Sequence, residues 1–251
     1  MDLDLTDRVY LVTGGARGLG RATAEILVAE GARVVLSSRT AETVDRAVAD
    51  LGERAVGVAC DNADPQTPGR LIAAARERWG RLDGALVSVG GPPKGSVGEI
   101  TDQQWSAAFE SVFLGAVRLA REVAAVLPAG GSIAVVLSSS VRAPLADLAI
   151  SNGLRPGLAM VAKTLADEVG PRGIRVNGLL PGRVGTDRVA ELDAAASDPE
   201  AARAEAVASI PLRRYGVPEE FGRVAAFVLS PAASFVSGAM VPVDGGMLRA
   251  L

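Results

Sequence analysis

Val9-Tyr10-Leu11-Val12-Thr13-Gly14-Gly15-Ala16-Arg17-Gly18-Leu19-Gly20 joins an apolar, β-branched run to a glycine-rich turn. The turn opens directly into an amphipathic pattern, Gly20–Glu30, with Ile26, Leu27 and Val28 among its apolar positions. Strand, tight turn and helix in that order make a cradle for a negative group. Glycine lets the chain bend sharply and lets the backbone approach a ligand with no Cβ in between. The helix N-terminus adds unpaired N–H groups and the positive end of its dipole. A glycine string alone is a weak signal, but its place between a strand and a helix marks a pyrophosphate site. Gly14, Ala16, Arg17, Gly18, Leu19 and Gly20 are the candidate contacts.

Downstream, short β-branched or apolar runs alternate with longer helical patterns. Val9–Thr13, Arg33–Ser37, Ala55–Cys60, Leu82–Val89, Ser132–Leu137, Arg175–Leu180 and Met240–Val243 read as strands. Ala41–Leu51, Pro65–Trp79, Asp102–Val126, Leu148–Val169 and Pro218–Leu229 read as helices. This alternation predicts an α/β, Rossmann-type architecture: a doubly wound, mostly parallel seven-stranded sheet with helices on both faces. The strands are continuous apolar runs, as burial under helices on both sides requires. With no repeat, low-complexity tract or linker, residues 1–251 are read as one dinucleotide-binding domain. Gly90–Ser96 and Pro181–Thr186 follow strands, at the carboxyl edge where such sheets bind ligands, and are expected to wall the site.

Which dinucleotide is held depends on the end of the second strand. An acid there holds a ribose 2′-hydroxyl, whereas a 2′-phosphate calls for neutral and cationic groups. Here Ser38 and Arg39 occupy that position, and Arg17 can approach from the glycine turn. The expected cofactor is NADP(H).

Composition narrows the function further. Hydrophobic residues make up 49% and charged residues 22% of 251, ordinary for a globular chain with a sizeable core. The net charge of −3 gives no basic field for nucleic acid or an anionic membrane. One cysteine, Cys60, excludes an internal disulfide and fits a reducing compartment. The N-terminal MDLDLTDRVY carries two acids before any apolar run and does not read as a signal peptide. No apolar stretch reaches the roughly 18 residues of a membrane span, so a cytoplasmic protein is expected. The sequence contains no histidine at all. That excludes an imidazole proton shuttle, a histidine metal site and a Ser-His-Asp triad; no metal is expected. Tyr10 and Tyr215 are the only tyrosines.

The chain resembles the short-chain dehydrogenase/reductase family in its compact single-domain form, similar to the ketoacyl-carrier-protein reductases. The likeness covers essentially the whole length. It rests on the TGGARGLG turn, Asp61 after the third strand, Leu82-Asp83 before the fourth, IRVNGLLPGRVGT at 174–186, and the tail from Pro211 to Met247. It implies that Asp61 and Asn62 lie beside the adenine and Gly90 beside its ribose. Pro181, Gly182 and Thr186 would then surround the nicotinamide amide and the phosphates. It also implies a homotetramer or homodimer built on the long helices at 102–126 and 148–169, and a substrate-covering region at Val184–Pro211.

In that family an Asn-Ser-Tyr-Lys set performs the chemistry, and here it is degenerate. Aligned without a gap from the fifth strand to KTLADEVGPRGIRVN, Ser138 falls on the serine, Ser151 on the tyrosine, Arg155 on the lysine and Val112 on the asparagine. A serine hydroxyl is far less acidic than a phenol, so a nearby cation cannot bring it into range. Arginine stays charged and can bind ribose hydroxyls, but relays protons poorly. Ser138, Ser151 and Arg155 remain the candidate catalytic groups, with Arg155 also a cofactor contact. Asp147, Lys94 or water are the remaining proton donors. The shorter Ser151 is expected to leave room for a larger substrate or a water, and Gly91–Gly95 to line one wall. An NADP(H)-dependent oxidoreductase acting on a small carbonyl or alcohol is the favoured expectation. The alternatives are a dinucleotide-binding sensor or partner subunit that reduces nothing, and a non-redox enzyme on the same fold.

Overall fold

A computed structural model describes residues 1–194 and 197–249. Its seven strands form one sheet in the order β3-β2-β1-β4-β5-β6-β7, every adjacent pair parallel. They are β1 Val9–Val12, β2 Arg33–Ser38, β3 Ala55–Ala59, β4 Gly84–Val87, β5 Ser132–Val136, β6 Arg175–Pro181 and β7 Met240–Val243. The chain winds outward through β2 and β3, then returns to lay β4 on the other side of β1. That reversal opens a crevice at the carboxyl ends of β1 and β4, where open α/β sheets bind ligands.

The helices are α1 Gly18–Ala29, α2 Ala41–Leu51, α3 Thr67–Trp79, α4 Asp102–Ala108, α5 Gly115–Val126, α6 Ala149–Val169, α7 Asp187–Ala194, α8 Pro199–Ser209 and α9 Pro218–Leu229. Strand alternation sorts the core into two layers. Val9, Leu11, Ala85, Val87, Ile133 and Val135 point to one face, under Leu71 of α3, Leu119 and Val123 of α5 and Leu158 of α6. Tyr10, Val12, Leu86, Ala134 and Val136 point to the other, under Leu27 of α1, Val44 of α2 and Phe221 of α9. Each fully buried aliphatic side chain contributes on the order of 1.5–3 kcal/mol, so the two layers supply the main stabilisation.

The α1–α9 contact is unusually close. A Cβ at Gly222 would sit 2.8 Å from the Ala22 carbonyl oxygen, so only glycine lets the two backbones meet there. Arg175 then secures the far end of α9, donating to the carbonyls of Val228 at 2.9 Å and Ser230 at 2.9 Å.

The structure departs from the sequence pattern in two places. The helix expected over 102–126 is broken by a π-helical stretch, Phe109–Leu114, between α4 and α5. The covering region Val184–Pro211 holds two helices, α7 and α8, that apolar periodicity did not announce. Ala195 and Ala196 of that region lie outside the described residues.

Candidate functional site

The cradle is assembled at the switch point. The Thr13 hydroxyl, at the end of β1, donates to the Ser88 carbonyl at 2.7 Å and accepts from the Ser88 N–H at 2.8 Å. Gly15 N–H donates to the Ser37 carbonyl at 3.0 Å, tying the turn to β2 as well. Gly14 and Gly18 sit at φ +60° and +56°, the left-handed region that side chains resist. At Gly20 a Cβ would lie 2.4 Å from the Gly14 carbonyl oxygen, so α1 starts hard against its own turn. Around the cradle the space is open. A Cβ at Gly18 would meet only the Thr186 side chain, at 3.6 Å, and one at Gly90 nothing within 4 Å.

The helix end facing this space is left uncapped. Arg17 is its N-cap, no side chain caps it, and its first turn carries no acid. Thr101 caps α4 and Asp198 caps α8 with side-chain hydrogen bonds, while α2, α3, α5 and α6 are uncapped like α1. Free N–H groups and an uncompensated dipole end fit a bound pyrophosphate.

Ser38 is the last residue of β2, and Arg39 after β2 and Arg17 after β1 are both exposed. Among the described residues neither arginine has a carboxylate within 4 Å. Nearby Arg21, Arg33, Arg46 and Arg54 are all paired with acids. Arg17 and Arg39 are thus left without an acid, as is Arg70, which donates to the Ala59 carbonyl at 3.0 Å.

The other cofactor candidates gather on the same edge. Asp61 follows β3; its carboxylate accepts from Ala63 N–H at 2.9 Å and its carbonyl from the Thr67 hydroxyl at 2.6 Å. Asn62 backbone packs so closely on Gly115 that a Cβ there would be 2.2 Å from its carbonyl oxygen. Pro181 ends β6, Gly182 packs on Asp244, and Thr186 reaches Gly18.

At the catalytic positions the structure changes the grouping. Ser138 follows β5, half-buried, its oxygen accepting from Ser140 N–H at 3.1 Å. Among the described residues its hydroxyl hydrogen has no acceptor, so it can donate outward. Ser151 pairs instead with Ser140, Oγ to Oγ at 3.1 Å, and both are buried. The Ser151 hydroxyl is thus engaged with Ser140. Ser140 is the residue that sequence reasoning passed over; the Ser138–Ser140 run was its only signal.

Arg155 lies one turn beyond Ser151 on the same face of α6. It is 4% exposed and donates from Nη1 to the Val136 carbonyl at 2.6 Å, with no carboxylate within 4 Å among the described residues. Burial pulls its guanidinium down to about 10. Val112 is buried in the π-helical stretch as an ordinary core residue.

Neither tyrosine offers itself as the missing acid. Burial pushes the Tyr10 phenol far above its ordinary value, within the core. Tyr215 is also raised, by burial first and then by its hydrogen bond to Asp193 at 3.1 Å. Lys94 and Asp147 are exposed, their loops joined by Gly95 N–H donating to the Asp147 carbonyl at 2.7 Å.

Asp193, on α7, gathers the surrounding segments. Besides Tyr215 it takes Arg183 Nη1 at 3.1 Å and Arg203 Nη1 at 3.9 Å, and Arg203 lies 4.4 Å above the Tyr215 ring. The loop after β6, both helices of the covering region and the loop before α9 are thereby bound together.

Three comparisons with known proteins agree with this architecture. A family model described as enoyl-(acyl carrier protein) reductase matches residues 14–248. The short-chain reductase protein NovJ of Streptomyces niveus is 34% identical over 249 residues, spanning 96% of this chain and 94% of its own length. The human dehydrogenase/reductase SDR family member 4 is 34% identical over 254 residues, spanning 96% of this chain and 88% of its own. The crystal structure of L-sorbose reductase from Gluconobacter frateurii, complexed with NADPH and L-sorbose, superposes with a TM-score of 0.91 at 31% identity, covering 100% of both chains.

Proposed function

This chain belongs to the short-chain dehydrogenase/reductase family, and we propose that it is an NADP(H)-dependent oxidoreductase whose proton donor is water. One observation carries the reading. Among the described residues Arg17 and Arg39 both lack an acidic partner, and Arg17 stands at a helix end with no side-chain cap. Two cations without acidic partners match the 2′-phosphate of NADP and offer nothing specific to the 2′-hydroxyl of NAD. The solved relative bound to NADPH points the same way.

Bound in the cradle, NADPH would supply hydride to a substrate carbonyl. The first turn of α1 holds the pyrophosphate, Asp61, Asn62 and Gly90 flank the adenosine, and Pro181, Gly182 and Thr186 border the nicotinamide end. Arg155 keeps a ribose-binding role through the nitrogens not given to Val136. Ser138 donates its free hydroxyl hydrogen to the carbonyl oxygen and stabilises the negative charge that grows there. Water delivers the proton that completes the alcohol, because no histidine exists and both tyrosines are engaged elsewhere. The small-molecule substrate enters between Gly91–Gly95 and the covering region.

A second reading, a dinucleotide-binding protein without turnover, is favoured by the closed Ser140–Ser151 pair and by the burial of Arg155. Titration with NADPH and NADH, followed by NADPH consumption over a panel of ketones, aldehydes and quinones, separates the two. Arg39→Ala is expected to weaken NADPH about tenfold or more and leave NADH nearly unchanged. Ser138→Ala is expected to remove turnover while NADPH still binds. Tight NADPH binding with silence across the panel would favour the second reading, and equal loss of both nucleotides in Arg39→Ala would defeat the NADP assignment.

A further inference from the structure

We propose that Arg188 is a positioning residue, a clasp that fastens α7 across the mouth of the site and retains the nucleotide beneath it. The retention role rests on the cofactor reading above; the clasp itself does not.

α7 is held differently at its two ends. Its C-terminal end carries Asp193, whose buried carboxylate is shared among Arg183, Tyr215 and Arg203. Its N-terminal end follows a backbone tie between Gly185 N–H and the Gly216 carbonyl at 2.8 Å, and one side chain fastens it across to the β4 loop. Arg188 Nη2 donates to the Pro92 carbonyl at 2.7 Å, on the loop that follows β4. The same guanidinium lies flat on Gly91, where a Cβ would stand 2.9 Å from Nε. Glu191, at 3.6 Å from Nη1, is a looser neighbour on the same helix. The segment after β6 and the loop after β4 are therefore bridged by one charge-assisted hydrogen bond.

The position makes that bond matter. Thr186, two residues before Arg188, already reaches Gly18 of the cradle. Gly90, next to Gly91, opens onto the same space. A clasp between Arg188 and Pro92 thus spans the crevice between the phosphate turn and the β4 wall. The four-segment cluster at Asp193 acts as the fixed hinge, and the single, half-exposed bond at Arg188 is the part that releases.

The test compares wild type, Arg188→Ala, Arg188→Lys, Gly91→Ala and Glu191→Gln. Hydrogen exchange is followed over residues 187–194 without nucleotide, and NADPH release is followed by fluorescence in stopped flow. Arg188→Ala is expected to exchange faster over 187–194 and to release NADPH about tenfold faster. Gly91→Ala, which keeps the charge but pushes the guanidinium off its seat, should behave alike. Arg188→Lys should recover part of both, and Glu191→Gln should match wild type. Wild-type exchange in both Arg188→Ala and Gly91→Ala would overturn the clasp. Faster exchange with unchanged NADPH release would overturn its retention role. Failure of wild type itself to bind NADPH would defeat the cofactor reading, and the retention role with it, while the exchange arm still decides the clasp.

Discussion

Arg155 carries a full charge at 4% exposure with a single backbone carbonyl as its recorded partner. The same residue that would hold a ribose is therefore a burden on the empty fold. Its value of about 10, lowered by burial from the ordinary arginine range, corresponds to roughly 3 kcal/mol against the charged folded form. A base whose folded value lies below its unfolded value binds fewer protons when folded. The penalty is complete below about pH 10 and is relieved as pH climbs from there toward the ordinary arginine range. Arg155→Leu is expected to gain about 1–3 kcal/mol, a melting rise of roughly 2–10 °C, and to weaken NADPH binding. Melting curves from pH 7 upward should show the two proteins converging above about pH 10. A variant that melts lower at pH 7 would show that the stem's packing outweighs the charge. The lesson extends to Ser151. Its spacing to Arg155 is plain in the sequence, but its partner Ser140 depends on side-chain rotamers that no spacing rule records.

Among the elements, α6 bears an internal proline, Pro156, immediately after Arg155. Proline lacks the N–H that would bond back to Asn152 and crowds that carbonyl, which costs about 3 kcal/mol in an ordinary helix. Pro156→Ala is expected to raise the melting temperature by a few degrees while changing NADPH affinity, since Arg155 would ride on a differently shaped turn. A melting temperature that falls would show that the helix depends on the proline. Most elements were legible from sequence because burial dictates pattern: Ala41–Leu51, Pro218–Leu229 and Met240–Val243 match residue for residue. The misses have physical causes. A π-helical stretch rotates the apolar stripe, and a run such as Phe109–Leu114, with apolar residues on several sides, hides the rotation. α8 buries no residue at all, so it has no stripe to read. The cradle was legible because glycine marks both the turn and the helix start. The Asp193 cluster was not, since it unites residues from four separate segments.

At the scale of the molecule, α6 and the π-helical stretch leave apolar side chains exposed. Phe109 is 43% and Met160 67% exposed, with Phe109 stacked on Phe113 at 5.3 Å. Beside them a hollow of about 410 Å³ opens among Trp105, Ser106, Phe109, Glu110 and Leu154. Gly153 and Gly157 keep α6 thin where it meets Trp105 and Phe113. This face suits a second copy of the chain, and Phe109→Asp is expected to lower the sedimentation coefficient toward that of a monomer. A wild-type monomer in sedimentation would dismiss the dimer outright. The Gly222–Ala22 contact has another consequence, felt during synthesis. Residues 18–29 shape the cradle, yet they pack on residues 218–229. While a ribosome is still making the latter, the part of the former that faces α9 has nothing to cover it. The nascent chain must wait, exposed to aggregation and to chaperones, before its nucleotide site can close.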